Sequence, residues 1–156
     1  MQRVWITPGG EYSRLYYDML QQTHLLIAGA TGAGKSTVVN GIIHAALFSA
    51  PCKVGFILID PKGTELSDYS NLPHTIQYAQ ATPDCIRALQ YALQLVKTRF
   101  ADMKRRKLRL YDGSDIYIVI DELMFLLNRH QYKRVAMDVL QDILVIARAA
   151  RVHVIA

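Results

Sequence analysis

Cysteine and tryptophan are scarce, and long apolar runs are missing. Across 156 residues there are 2 cysteines and 1 tryptophan. Cys52 and Cys85 cannot build a disulfide framework, so the hydrophobic core must hold the chain together, as suits a reducing compartment. No window approaches the ~20 consecutive apolar residues of a membrane span, so no membrane contact is expected within the chain. The N-terminus, Met1-Gln2-Arg3-Val4-Trp5, lacks the basic-then-apolar layout of a secretory leader. Charged residues make up only 20% against 51% hydrophobic, a balance that excludes a disordered chain. A chain of this length suits one domain with a sizeable core.

The charge that is present leans basic, with 18 Lys and Arg against 13 Asp and Glu and a net charge of +5. That favours anionic partners without naming one. Much of the excess lies between Lys97 and Arg109, with Arg99, Lys104, Arg105, Arg106 and Lys107 inside the run. Two readings stand: a solvated helix C-terminus favoured by the macrodipole, or a patch that faces DNA.

The most informative stretch is Gly29-Ala30-Thr31-Gly32-Ala33-Gly34-Lys35-Ser36-Thr37, which satisfies the G-x-x-x-x-G-K-[ST] phosphate-binding pattern. His24 to Ala28 before it reads as a short buried strand. After it, Ser36 to Ala50 carries Val38, Val39, Ile42, Ile43, Ala46 and Leu47 at helical spacing. Glycines in such a loop let successive backbone N–H groups turn inward, and the following helix adds its positive end. The pocket therefore suits a polyphosphate. Lys35 is expected to reach the β- and γ-phosphates, and the Ser36 hydroxyl to coordinate Mg²⁺.

Other elements follow from periodicity. Val4 to Ile6 and the Pro8-Gly9-Gly10 turn predict a short strand, whereas Glu11 to Gln22 is compatible with strand or helix. Lys53 to Asp60 reads as a buried strand ending in a carboxylate. Asp60-Pro61-Lys62-Gly63 then breaks the run where open α/β sheets place ligands. Asp60 and Lys62 are thus either additional active-site residues or members of a plain turn. Thr75 to Ala79 suggests a small extra strand. Thr82 looks like an N-cap with Pro83 at the first helical position, opening a long helix with the stripe Ile86, Leu89, Leu93, Val96, Phe100 and Met103, closed by Tyr111 to Ser114.

Ile116 to Ile120 runs straight into Asp121 and Glu122. A buried strand ending there would deliver Asp121 to the Mg²⁺ shell beside Ser36 and place Glu122 to activate water. Lys133 to Ala150 predicts a third helix and Val152 to Ala156 a last buried strand, with His153 as a packed strand residue. The elements together predict a three-layer α/β domain with a mainly parallel sheet flanked by helices.

Several separated stretches resemble the FtsK/SpoIIIE family of DNA-pumping ATPases, within the FtsK–HerA group of RecA-like motors. They are His24 to Gly29 leading into the phosphate loop, Val39-Asn40, Phe56 to Ser67 containing Asp60-Pro61-Lys62-Gly63-Thr64-Glu65-Leu66-Ser67, Leu72-Pro73-His74, Ile120-Asp121-Glu122, and Ala147 to His153. The resemblance runs from His24 to the last residue. Residues 1–23 read as an N-terminal strand and turn extension packing on the core, and the resemblance implies 24–156 as part of an FtsK-type P-loop ATPase domain with the phosphate-loop strand near the Asp121 strand. It further implies a cytoplasmic homo-hexameric motor using ATP and Mg²⁺ to move double-stranded DNA, in a parent protein that other segments could anchor to a membrane. Two departures bear on this. Leu123-Met124-Phe125-Leu126 stands where the family commonly has Phe-Ala-Asp-Leu, and the family's polar γ-phosphate sensor and trans-acting arginine fall beyond Ala156. Protein secretion on the same fold, or a small P-loop kinase with Arg105-Arg106-Lys107 as a phosphate clamp, are the alternative functions. On the motor reading the chain is a fragment that binds Mg²⁺·ATP weakly and turns it over slowly or not at all. A steady-state assay should therefore give a rate far below the ~10 s⁻¹ typical of enzymes.

Overall fold

Six consecutive residues of Val54–Ile59 and six of Asp115–Ile120 are buried without interruption, as strands covered on both faces must be. The computed structural model describes residues 3–6, 15–18, 22–30 and 32–156. In chain order, β1 (Arg3–Ile6) pairs antiparallel with β2 (Leu15–Asp18), and β1 runs beside helix α1 (Lys35–Ser49). Then come β3 (Val54–Ile59), a 3₁₀ turn at Ser67–Tyr69, β4 (Thr75–Ala79), α2 (Thr82–Arg106), β5 (Asp115–Ile120), α3 (Leu123–Leu127), α4 (His130–Ile146) and β6 (Val152–Ile155). The main sheet has the order β4-β3-β5-β6, and every pairing in it is parallel. The expected α/β architecture is therefore the observed one.

Strand alternation divides the core into two layers. Ile57 and Ile59 of β3 and Ile116, Ile118 and Ile120 of β5 face α2 and α4. Phe56 and Leu58, with Tyr117 and Val119, face α1 through Ile42, Ile43 and Ala46. On the α1 face, in-register partners stack as an aromatic column: Phe56 on Tyr117 at 5.7 Å between centroids, and Tyr117 on His153 at 5.0 Å. Burying side chains of this size stabilises the fold by about 1.5–3 kcal/mol each. His153 is a packed strand residue, as expected, with 2% exposure.

The segment before the phosphate loop behaves differently from expectation. It lies on the far side of β6, bridged at Leu25 to Ile155, with Leu25 N donating to Val154 O (2.8 Å) and Ile27 N to Ala156 O (2.7 Å). Leu25 and Ile27 are half-buried and Leu26 is 71% exposed, because among the described residues this segment has a neighbour on one side only. It is thus a sheet edge and not the buried strand predicted. One strand, β6, separates it from β5.

Smaller differences have local causes. Thr82 is the first residue of α2, the cap being Ala81 with no side-chain cap bond, and Pro83 lies in the first turn. That helix stops at Arg106 because Lys107 turns left-handed at φ 56°, before the Tyr111–Ser114 stretch. Helix α4 begins at His130 and ends at Ile146, shifted from the periodicity, and α3 has no counterpart in the sequence reading. The Pro8–Gly10 turn lies outside the described residues, and of Glu11 to Gln22 the structure describes Leu15–Asp18 as strand and Gln22 as bend.

At the amino ends of β5 and β6 sits a buried polar cluster. Arg151 donates twice to Asp115, from Nε at 2.8 Å and from an Nη at 2.5 Å, and His153 Nε2 faces the same carboxylate at 3.1 Å. His153 Nδ1 faces Thr23 O at 3.1 Å, tying the phosphate-loop strand to the cluster. Arg99, 7% exposed on α2, donates from one Nη to the carbonyls of Ser114 (2.8 Å), Ala150 (2.7 Å) and Arg151 (3.3 Å). Burial pushes the Asp115 carboxyl up, but hydrogen bonds from His153 and Arg151 outweigh it and leave it below its ordinary value. Since the folded pKa is the depressed one, this stabilisation is complete above the unfolded value of about 3.9 and is lost as pH falls through the folded value. Urea midpoints measured from pH 6 down to pH 2.5 should fall below pH 4. Asp115→Asn should flatten that fall while lowering stability by about 3 kcal/mol at neutral pH.

Candidate functional site

In a parallel sheet every strand delivers its carboxyl end to the same edge, and that edge gathers the polar residues singled out in the sequence. Ile59 and Ile120 are register partners, so Asp60 and Asp121 emerge side by side, with Asp121 N donating to Ile59 O at 2.9 Å. The phosphate-loop segment, running parallel beyond β6, brings Gly29 and Ala30 to the same edge.

Within the loop, Gly32 and Gly34 take left-handed φ values of 80° and 85°, which residues with a Cβ avoid. Thr31 lies outside the described residues. Gly34 is the N-cap of α1, has no side chain to satisfy the first N–H groups, and the first turn holds no acidic residue. An anion is what such a helix start accommodates. Lys35 folds over the loop and donates from Nζ to Gly29 O and Ala30 O, both at 2.9 Å. Ser36 is half-buried and Thr37 exposed at the start of α1, while Ala33 is exposed in the loop.

Asp121 is half-buried, and its carboxyl lies above its ordinary value because of burial first, then the nearby charges of Asp60, Glu122 and Glu65. Among the described residues no group of three or more His, Cys, Asp and Glu side chains is placed to hold a metal ion by itself, so a cation here would need oxygens from a bound phosphate as well. Glu122 follows in the left-handed region at φ 56°, ψ 56°, at the junction of β5 and α3. Its carboxylate accepts a hydrogen bond from Lys62 Nζ at 2.7 Å, and this bond, with a smaller effect from the Lys35 charge, holds its pKa below the ordinary value. Lys62 is correspondingly raised by the same bond. The Lys35 loop and the Asp121-Glu122 pair, 86 residues apart in sequence at Lys35 and Asp121, thus share one edge and one electrostatic field.

Asp60 has another job. It is fully buried, and its carboxylate accepts from Gly63 N (2.8 Å), Glu65 N (3.0 Å) and Leu66 N (2.9 Å). Three backbone donors occupy three of the roughly four acceptor sites on its two oxygens, so it organises the 60–66 loop. Within the Asp60–Gly63 turn, Lys62 bonds Glu122, while the Asp60 charge acts on Asp121. The residues alone do not announce the Lys62–Glu122 bond; the available signal is that Lys62 lies three positions past the end of β3 and Glu122 two past the end of β5, both buried strands.

The basic run resolves mainly into a helix end. Arg105 pairs with Asp102 at 2.7 Å, and Arg106 with Asp102 at 3.1 Å and with Asp112. Lys104, Lys107 and Arg109 remain exposed. Among the described residues no helix is long and apolar enough to cross a membrane.

Residues 6–155 match the FtsK/SpoIIIE family. A relative named DNA translocase FtsK from Lactococcus lactis subsp. cremoris is 32% identical over 164 residues, covering 89% of this chain and 21% of its own. The protein of that name from Lactiplantibacillus plantarum is 34% identical over 163 residues, covering 88% and 20%. The chain therefore spans about a fifth of the length of these relatives. Among solved structures, Thermomonospora curvata EccC (ATPases 2 and 3) in complex with a signal sequence peptide superposes with a TM-score of 0.76 at 22% identity, covering 99% of this chain and 28% of that one. The pCW3 conjugation coupling protein TcpA, in a monomer form with ATPγS, gives 0.71 at 18%, covering 99% and 47%.

Replacing Asp60 by Ala should orphan three amides. Urea unfolding should show a loss of about 2–3 kcal/mol, and amide exchange should speed at Gly63, Glu65 and Leu66.

Proposed function

The chain belongs to the FtsK/SpoIIIE family of ATPases, and on that premise we propose that it is the ATP-binding core of a motor that moves double-stranded DNA. The observation that carries the reading is the convergence of the Lys35 loop and the Asp121-Glu122 pair on one sheet edge, close enough for Lys35 to act on Glu122.

Gly29, Ala30, Thr31, Gly32, Ala33, Gly34 and Thr37 form and flank the cradle, whose N–H groups and helix start bind phosphate oxygens. Lys35 exchanges its two loop carbonyls for the outer phosphates. The donor set suits a magnesium ion, a hard cation that takes oxygen ligands: Ser36 would supply a hydroxyl at the start of α1 and Asp121 a carboxylate at the same sheet edge. When bound, that ion neutralises charge on the phosphate oxygens. Glu122 accepts a proton from the attacking water at a carboxylate oxygen, which makes the reaction a hydrolysis and argues against a kinase. In the full protein we place this core in a homo-hexamer on the cytoplasmic side, with ATP turnover coupled to the movement of DNA. A protein cargo is the second reading, since the EccC and TcpA likenesses concern the fold alone. The two sequence relatives described above, at 32% and 34% identity, are both named DNA translocase FtsK, which supports DNA.

Calorimetry with Mg²⁺·ATPγS tests the core claim on this chain. The wild type should take up one nucleotide. Lys35→Ala should weaken binding about 10- to 100-fold, the loss of a charge-assisted hydrogen bond. Asp121→Asn should make the remaining affinity insensitive to EDTA. No heat of binding from the folded wild type would contradict the reading.

A further inference from the structure

Lys62 stands apart from the roles assigned above. Its ammonium meets Glu122 Oε1 at 2.7 Å, and its charge also acts on Asp121 and Glu65. It is carried by the loop that buried Asp60 clamps through three backbone amides, so its Cα is fixed while its four-carbon stem stays mobile. Both partners are about half exposed, with side-chain exposures of 52% and 44%, and an ion pair so exposed is weak. A pair of this kind does not staple a fold. The residue it engages is also the one held in the left-handed region between β5 and α3, a conformation disfavoured for any residue with a Cβ.

Chemistry makes the pair and the proposed role of Glu122 competitors. A carboxylate oxygen that accepts a hydrogen bond from an ammonium is a poorer acceptor for a proton from water, and the bond fixes the direction in which the carboxylate points. Lys35 shows the same pattern beyond β5 and β6, its ammonium bonded to two carbonyls of its own loop. Lys35 and Lys62 are thus both engaged by protein oxygens that nucleotide chemistry needs them to release.

We infer that Lys62 is a positioning residue that holds Glu122 until a magnesium nucleotide fills the loop, and then gives it up. The inference rests on the nucleotide reading above. Polyphosphate attracts the Lys62 ammonium, and a cation held by Asp121 takes over the neutralisation of the acids; each change weakens the pair. Release leaves Glu122 free to accept from water, so hydrolysis is tied to a filled pocket.

A double-mutant cycle on Mg²⁺·ATPγS affinity tests this, using wild type, Lys62→Met, Glu122→Gln and the double variant, each checked for folding by circular dichroism. If binding opens the pair, the wild type must lose it and the variants have none to lose. The product of the wild-type and double-variant Kd values should then exceed the product of the two single-variant values by about 1.5- to 5-fold, the range of an exposed ion pair. Lys62→Arg should restore the non-additivity, with a Kd within about twofold of wild type, since it keeps the cation. Additive Kd values, or non-additivity of the opposite sign, would overturn the inference while leaving nucleotide binding intact. A folded wild type that takes up no nucleotide would overturn both readings.

Discussion

Two hydrogen bonds from the phosphate-loop segment to the end of β6, Leu25 N to Val154 O and Ile27 N to Ala156 O, decide where the loop lies. The return bond from Ala156 N to Leu25 O, at 3.0 Å, sets the pairing as parallel. Parallel pairing means a common carboxyl edge. Without it the Gly-rich loop would open on some other side of the sheet from Asp121 and Glu122, and no arrangement of side chains could bring them together. Further bonds reinforce the same placement from the other end: His153 faces Thr23 O, and His24 Nδ1 accepts from Val154 N at 3.0 Å.

The structure separates charges that hold the fold from charges that are free to act. Asp60, Asp115 and Arg99 are buried and have their polar atoms satisfied by backbone groups or by ion pairs within hydrogen-bond distance. Removing one partner from such a set strands the others, which is why these residues matter to stability. Asp121, Glu122, Lys35 and Lys62 sit at the sheet edge with partial exposure and weaker bonds. They can exchange partners. Cys85 shows that burial alone makes nothing reactive: desolvation pushes its thiol up to about 11, where it stays protonated.

Much of this was legible in the residues. The apolar runs before Asp60 and Asp121 announced buried parallel strands, and the stripe from Ile86 to Met103 announced a helix packed on the sheet, because each obeys a simple period. What stayed hidden depends on contacts far apart in sequence. Nothing in Thr-Arg-Phe signals that Arg99 points inward to three carbonyls instead of joining the basic run around it. The sequence leaves Asp60 open between plain turn and active site, and its two oxygens prove to be bonded by three amides only in the fold. The edge position of Leu25 to Ile27 was missed because an apolar run reports hydrophobicity and not the number of neighbours. Lys62 and Glu122, 60 positions apart, meet only because β3 and β5 are adjacent and in register.

The most direct test is to place a probe where loop and acids are said to meet. With Mn²⁺ in place of Mg²⁺ in the ATPγS complex, paramagnetic broadening in an amide NMR spectrum reports which backbone groups lie within reach of the metal. Broadening of both Gly34 to Thr37 and Asp121 to Leu123, with the Asp115 and Arg151 amides at the opposite edge untouched, is the result predicted. Broadening confined to the loop, with Asp121 and Glu122 unaffected, would contradict a shared metal nucleotide site.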